Sequence, residues 1–196
     1  MGEAPILSQA LRRIGHVTNL RSGQDAGSLQ RNVDVPSYLS GYVDGEGCFT
    51  VSIAPRLTQR VGWELRPSLS VSQNGDRPEV LLVCQEYFGC GSLRPDRSDK
   101  TIKWEVRSLP LLVTRIIRHF EAYPLLSGKQ PDYLAFADIC RWMFAGRHLR
   151  AIGLEDIVRR AAGMDSSGKR GYLPAAIIAD LRRDEGIVCP PRKRGV

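Results

Sequence analysis

Two acidic residues, Asp44 and Glu46, stand among three glycines in the stretch PSYLSGYVDGEGCFTVSI, residues 36–53. Carboxylates this close, with few bulky neighbours, suit a hard divalent cation, although a D-G-E-G tract alone also reads as a solvated helix-to-strand turn. The preceding residues weigh against a plain turn. On a helical wheel Ser37, Ser40, Gly41, Asp44 and Gly45 share one arc, and Tyr38, Leu39, Tyr42 and Val43 the other. The large residues are expected to face a core. Each interior glycine costs roughly 1 kcal/mol relative to alanine, so an arc of Ser and Gly makes sense where two backbones approach closely. The expected partner is a second copy of the same helix about a twofold axis. Both Glu46 carboxylates would then meet at the base of the pair, where they repel unless a cation such as Mg²⁺ lies between them.

The 196-residue chain carries 28 Lys and Arg against 21 Asp and Glu, a net charge of +7, which favours a polyanionic partner, nucleic acid foremost. Five cysteines (Cys48, Cys84, Cys90, Cys140, Cys189) without a C-x-x-C pair, and three histidines, indicate neither a disulfide framework nor a zinc site. No apolar run approaches the ~18 residues of a membrane span. An intracellular protein, cytoplasmic or organellar at the nucleoid and not secreted, is expected, with no membrane and no small-molecule cofactor.

Three segments position the acids. Residues 1–33 are expected as an N-terminal arm of low order, 34–150 as the core, and 151–196 as peripheral helices with a basic tail. Within the core, Asp34 as cap and Pro36 in the first turn predict a helix ending near Gly45. CFTVSI and ELRPSLSVSQ alternate apolar and polar residues as two strands of a hairpin, and Ile102, Trp104 and Val106 alternate likewise in a second hairpin. Helical patterns fill the intervals, giving the order α-β-β-α-β-β-α: an α+β fold, a four-stranded antiparallel sheet under helices.

The stretch LSGYVDGEG, Leu39 to Gly47, resembles the LAGLIDADG motif of homing endonucleases. CFTVSI, SLSVSQ, YFGCGSL and YPLLSGKQPDYLAF resemble the first strand, the second strand, the turn into the second hairpin and the entry to a later helix of that family. The resemblance covers about Val35 to Phe144. It implies a site-specific, Mg²⁺-dependent DNA endonuclease that cuts both strands across the minor groove. One motif in one chain implies a homodimer on a long pseudo-palindromic site. By the same resemblance Glu46 is the metal ligand, the Gly45 carbonyl a further ligand from the partner half, and Asp44 a holder of the helix end. Gln73 positions the water, and Arg77 and Lys129 stabilise the phosphate. A β-ribbon fits the major groove, and the expected DNA contacts are Thr50, Ser52, Arg56, Arg60, Arg66, Ser68, Ser70, Ser72, Arg94, Arg97, Lys103, Glu105 and Arg107. The rivals are an RNA-splicing maturase or a non-cleaving DNA-binding protein on the same fold, and a purely structural homodimer.

Overall fold

Asp34 starts the first helix: its carboxylate accepts hydrogen bonds from the Ser37 amide at 3.5 Å and the Ser37 hydroxyl at 2.5 Å. Pro36 sits in the first turn, where a missing N–H has no intrahelical partner to lose. This helix, α1, spans Val35–Glu46 and ends at Gly47, which is extended. A Cβ at Gly47 would lie 2.5 Å from Val43 Cγ1 and 2.7 Å from the Val43 oxygen, so glycine is what lets the chain pass straight from helix to strand. The structure, a computed structural model, describes residues 34–95, 100–164 and 174–184. The expected arm at 1–33, the basic tail and Arg97 lie outside the described residues.

Strands β1 (Gly47–Pro55) and β2 (Trp63–Asn74) form the first hairpin, α2 (Glu79–Phe88) follows, and β3 (Ser92–Pro95) and β4 (Thr101–Val106) form the second. They make one antiparallel sheet in the order β1-β2-β4-β3. Phe49, Leu65, Leu69, Val71, Trp104 and Val106 are buried on its helix-facing side. The Phe49 ring lies 5.6, 5.6 and 5.2 Å from those of Phe120, Tyr133 and Phe136, joining sheet to helices.

The pattern LPLLVTRIIRHFEAY predicts a single helix. The structure divides it into α3 (Leu109–Leu111), a π-helical stretch (Leu112–Ile116) and α4 (Ile117–Ala122). Thr114 Oγ1 donates to the Pro110 carbonyl at 2.7 Å, engaging the acceptor that an α-helical Thr114 amide would use. After α5 (Gln130–Phe144) come α6 (Ala151–Ala162) and α7 (Pro174–Asp184). Leu154, Ile157, Val158, Ile177 and Leu181 of these last two helices join the same buried cluster as the sheet, with no separate core of their own among the described residues. No helix among the described residues is long and apolar enough to cross a membrane.

A buried relay seats α1. Ser40 Oγ donates to the Tyr123 carbonyl at 2.7 Å and therefore accepts from His119 Nε2–H at 3.0 Å, leaving Nδ1 to accept from the Tyr87 hydroxyl at 3.0 Å. Burial pushes the His119 imidazole down to about 4. The unfolded chain, with its histidine near 6.5, binds the proton that the folded chain refuses between those values. Stability should therefore fall as pH drops from about 6.5 to about 4, by on the order of 3 kcal/mol, with no further loss from this group below that. Urea unfolding across this window checks it: His119→Gln should flatten the slope, whatever it does to stability at pH 7.

Candidate active site and nucleic-acid interface

Helix α1 brings the acids to the seam but gives them different tasks. Asp44 Oδ2 accepts the amides of Leu126 and Ser127 at 3.0 and 2.9 Å, and Oδ1 accepts the Ser127 hydroxyl at 2.5 Å. Burial raises the Asp44 pKa, but the bonds from Ser127 and Leu126 and the Lys129 charge outweigh it and hold the carboxyl below its usual value. Asp44 thus ties the helix end to the loop before α5. Glu46, the last helical residue, is exposed.

The other expected site residues come from β2, from the turn after it and from the start of α5. Lys129 Nζ donates to the carbonyls of Val43, Gly45 and Gly47 at 3.1, 3.2 and 2.7 Å, satisfying the C-terminal end of α1. The ammonium expected at a phosphate is here bound to the helix end, and one of its acceptors is the Gly45 oxygen expected as a metal ligand. Gln73 alternates with Val71 and so lies on the helix side of the sheet. Its Nε2 donates to the Tyr42 hydroxyl at 2.5 Å and its Oε1 accepts the Asn74 amide at 2.9 Å. Arg77 is exposed in the turn after β2.

Tyr42 is a site neighbour that sequence reading missed. Burial raises its hydroxyl pKa, the Gln73 bond lowers it and the Glu46 charge raises it again. Its position, four residues before Glu46 on one helix, was the available signal.

The wheel reading needs correction at three positions. Ser40, placed on the open arc, is buried against His119 and Tyr123, whereas Tyr38, placed in the core, is 47% exposed and Tyr42 half-buried. The open stripe is Ser37, Gly41 and Gly45, flanked by Tyr38 and Tyr42. A Cβ at Gly41 or Gly45 would meet nothing within 4 Å. The error has a local cause: a serine with a buried histidine and a carbonyl to bond sits inside as readily as outside.

Cross-strand register places Thr50, Ser52, Arg66, Ser68, Ser70, Ser72, Arg94, Lys103 and Glu105 on the sheet face opposite the helices. Thr50 and Ser68 hydroxyls are 2.8 Å apart. Arg56 and Arg66, expected as DNA contacts, both bond Glu64, Arg56 with 2.9 Å to each oxygen and Arg66 at 2.7 Å, and together they hold the Glu64 carboxyl below its usual value. Glu105, 8% exposed, pairs with Arg107 at 2.9 Å. Arg60 and Arg94 are exposed.

One chain presents a hard oxygen donor that fits a Mg²⁺-like ion in the exposed Glu46 carboxylate, while the Gly45 carbonyl already accepts from the Lys129 ammonium. Among the described residues no three His, Cys, Asp or Glu gather to hold a metal.

The layered sheet, the polar strand face and the acid at the end of the first helix define the class as the homing-endonuclease fold. The sequence model described as LAGLIDADG endonuclease matches residues 39–140, and this chain belongs to that family. It is 29% identical over 131 residues to the probable intron-encoded endonuclease 2 of Neurospora crassa, covering 66% of this chain and 29% of that protein. The chain thus spans under a third of that relative's length. Its structure superposes on that of the archaeal intron-encoded homing endonuclease I-Vdi141I complexed with DNA (TM-score 0.71, 25% identity, 76% of this chain and 96% of that one). It also matches the LAGLIDADG meganuclease I-CpaMI bound to uncleaved DNA (TM-score 0.67, 29% identity), covering 75% of this chain and 49% of that one.

Proposed function

We propose that this chain is a site-specific endonuclease for double-stranded DNA, acting as a homodimer joined along the Ser37, Gly41 and Gly45 stripe of α1. The observation that carries the reading is the exposed Glu46 at the foot of that stripe, where the polar sheet face begins. A twofold pairing of the stripe brings two Glu46 carboxylates together, and the match to about half of the I-CpaMI chain is in keeping with one chain supplying one half of a catalytic unit.

Glu46 and the Gly45 carbonyl of the other copy would hold Mg²⁺, which supplies charge neutralisation and an activated water when bound. Gln73, steadied by Tyr42, orients water at the scissile phosphate through its amide. Arg77 sets positive charge beside the phosphoryl oxygens. Lys129 keeps the carbonyls at the end of α1 in place and adds its charge to the same corner. Incubating the full chain with randomised duplexes in Mg²⁺ and sequencing the cut products tests the reading. A palindromic cut site supports it, and intact DNA under conditions of tight binding leaves the non-cleaving rival.

Affinity should come mainly from phosphate contacts by exposed cations such as Arg60, Arg77, Arg94 and Lys100. A dimer making at least about six such contacts should give a log Kd against log[salt] slope of roughly 5 or steeper, about 0.9 per phosphate neutralised. Anisotropy titrations from 50 to 200 mM salt, as an order of range, would expose a flat dependence that contradicts DNA binding.

A further inference from the structure

Trp63 and Glu64 are consecutive at the start of β2 and point to opposite faces. Glu64 gathers Arg56 and Arg66 on the polar face. Trp63, 8% exposed, faces the helices, and its Nε1–H donates to Asp180 Oδ2 at 2.9 Å across 117 residues of chain. Asp180 lies on α7 beside buried Leu181 and three residues after buried Ile177, its side chain 49% exposed, and its other oxygen faces Arg183 Nη2 at 3.8 Å.

The rest of the sheet does not support this end of the hairpin. β4 pairs with β2 only from Leu69 to Asn74, whereas β1 pairs with β2 out to Pro55↔Trp63. From Thr50↔Ser68 outward the hairpin is a two-stranded ribbon, an arrangement of marginal stability by itself. The Trp63 contact falls on the last rung before the loop. Gly47 to Pro55 is eight steps of roughly 3.3 Å, so this rung lies ~26 Å from the Glu46 end. Along a duplex rising 3.4 Å per base pair, with allowance for the longer path of the groove, that is roughly five to eight base pairs from the cut.

We propose that the Trp63–Asp180 contact is a specificity clamp, by which α7 holds the outer end of the β1–β2 ribbon so that Ser52, Arg66 and the Arg56–Glu64 pair meet the outer base pairs of each half-site. Trp63 and Asp180 are positioning residues, and the inference rests on the endonuclease reading above.

Full-length protein, with Ca²⁺ replacing Mg²⁺ so that binding is read without cutting, is used to select from duplexes randomised at every position. The wild type should discriminate by about tenfold per mismatch. Asp180→Leu and Trp63→Phe should lower this below about threefold at positions roughly five to eight from the centre and leave inner positions unchanged. Asp180→Asn, which keeps an acceptor oxygen, should restore the outer profile. If Asp180→Leu does not fold, Trp63→Phe, which keeps a ring in the core, carries the test. An unchanged profile, or uniform loss at every position, overturns the clamp alone. A wild type that enriches no sequence overturns the DNA reading and the clamp with it.

Discussion

Glu46→Gln should lower double-strand cleavage by at least about 10²-fold while leaving the fold and DNA affinity nearly intact. The substitution conserves shape and removes a seam carboxylate that, among the described residues, makes no hydrogen bond or ion pair comparable to those of Asp44. Removing a negative charge beside phosphate can even tighten binding in metal-free buffer. Asp44 supplies the contrast. It accepts two amides and a hydroxyl from the Leu126–Ser127 loop, so Asp44→Ala gives those exposed donors over to water, frees the loop from the helix end and should cost ~1–2 kcal/mol of stability, visible in thermal unfolding without DNA. Single-turnover cleavage beside unfolding curves separates a catalytic acid from a structural one. Wild-type cutting by Glu46→Gln in Mg²⁺ would falsify the assignment.

Gly41→Leu should disrupt the proposed dimer without harming the monomer. In the single chain the space beyond Gly41 is open, and leucine favours a helix over glycine by roughly 0.8 kcal/mol, so the isolated chain should be as stable as wild type or slightly more so. In a pair of helices packed through their glycines the added side chains overpack the contact, at ~1–3 kcal/mol or more for each copy. Sedimentation should show a folded monomer at micromolar concentration, with cleavage reduced in step. A Gly41→Leu protein that remains dimeric and active would place the interface elsewhere.

The two variants draw on knowledge of different origin. Element order, the Asp34 cap, the helix-to-strand turn at Gly47 and the division of each strand into apolar and polar faces follow from local rules: capping chemistry, backbone sterics and a period of two. These were legible in the sequence, as was the face on which Thr50, Ser52 and Lys103 lie. The partners of those residues were not. Ser40 turns inward because His119, 79 residues away, offers a bond. Asp44 serves a loop 82 residues on, and Lys129 reaches back over 84 residues to the Gly45 carbonyl. Arg56 and Arg66 share Glu64 because a hairpin brings both beside it, and Trp63 finds Asp180 only once α7 packs against the core. Side-chain periodicity tells which way a residue points relative to its own strand or helix, and it decides burial where one face is plainly apolar. Which donor meets which acceptor depends on how distant elements pack, and a polar group buried by that packing takes whatever partner the fold brings within about 3 Å.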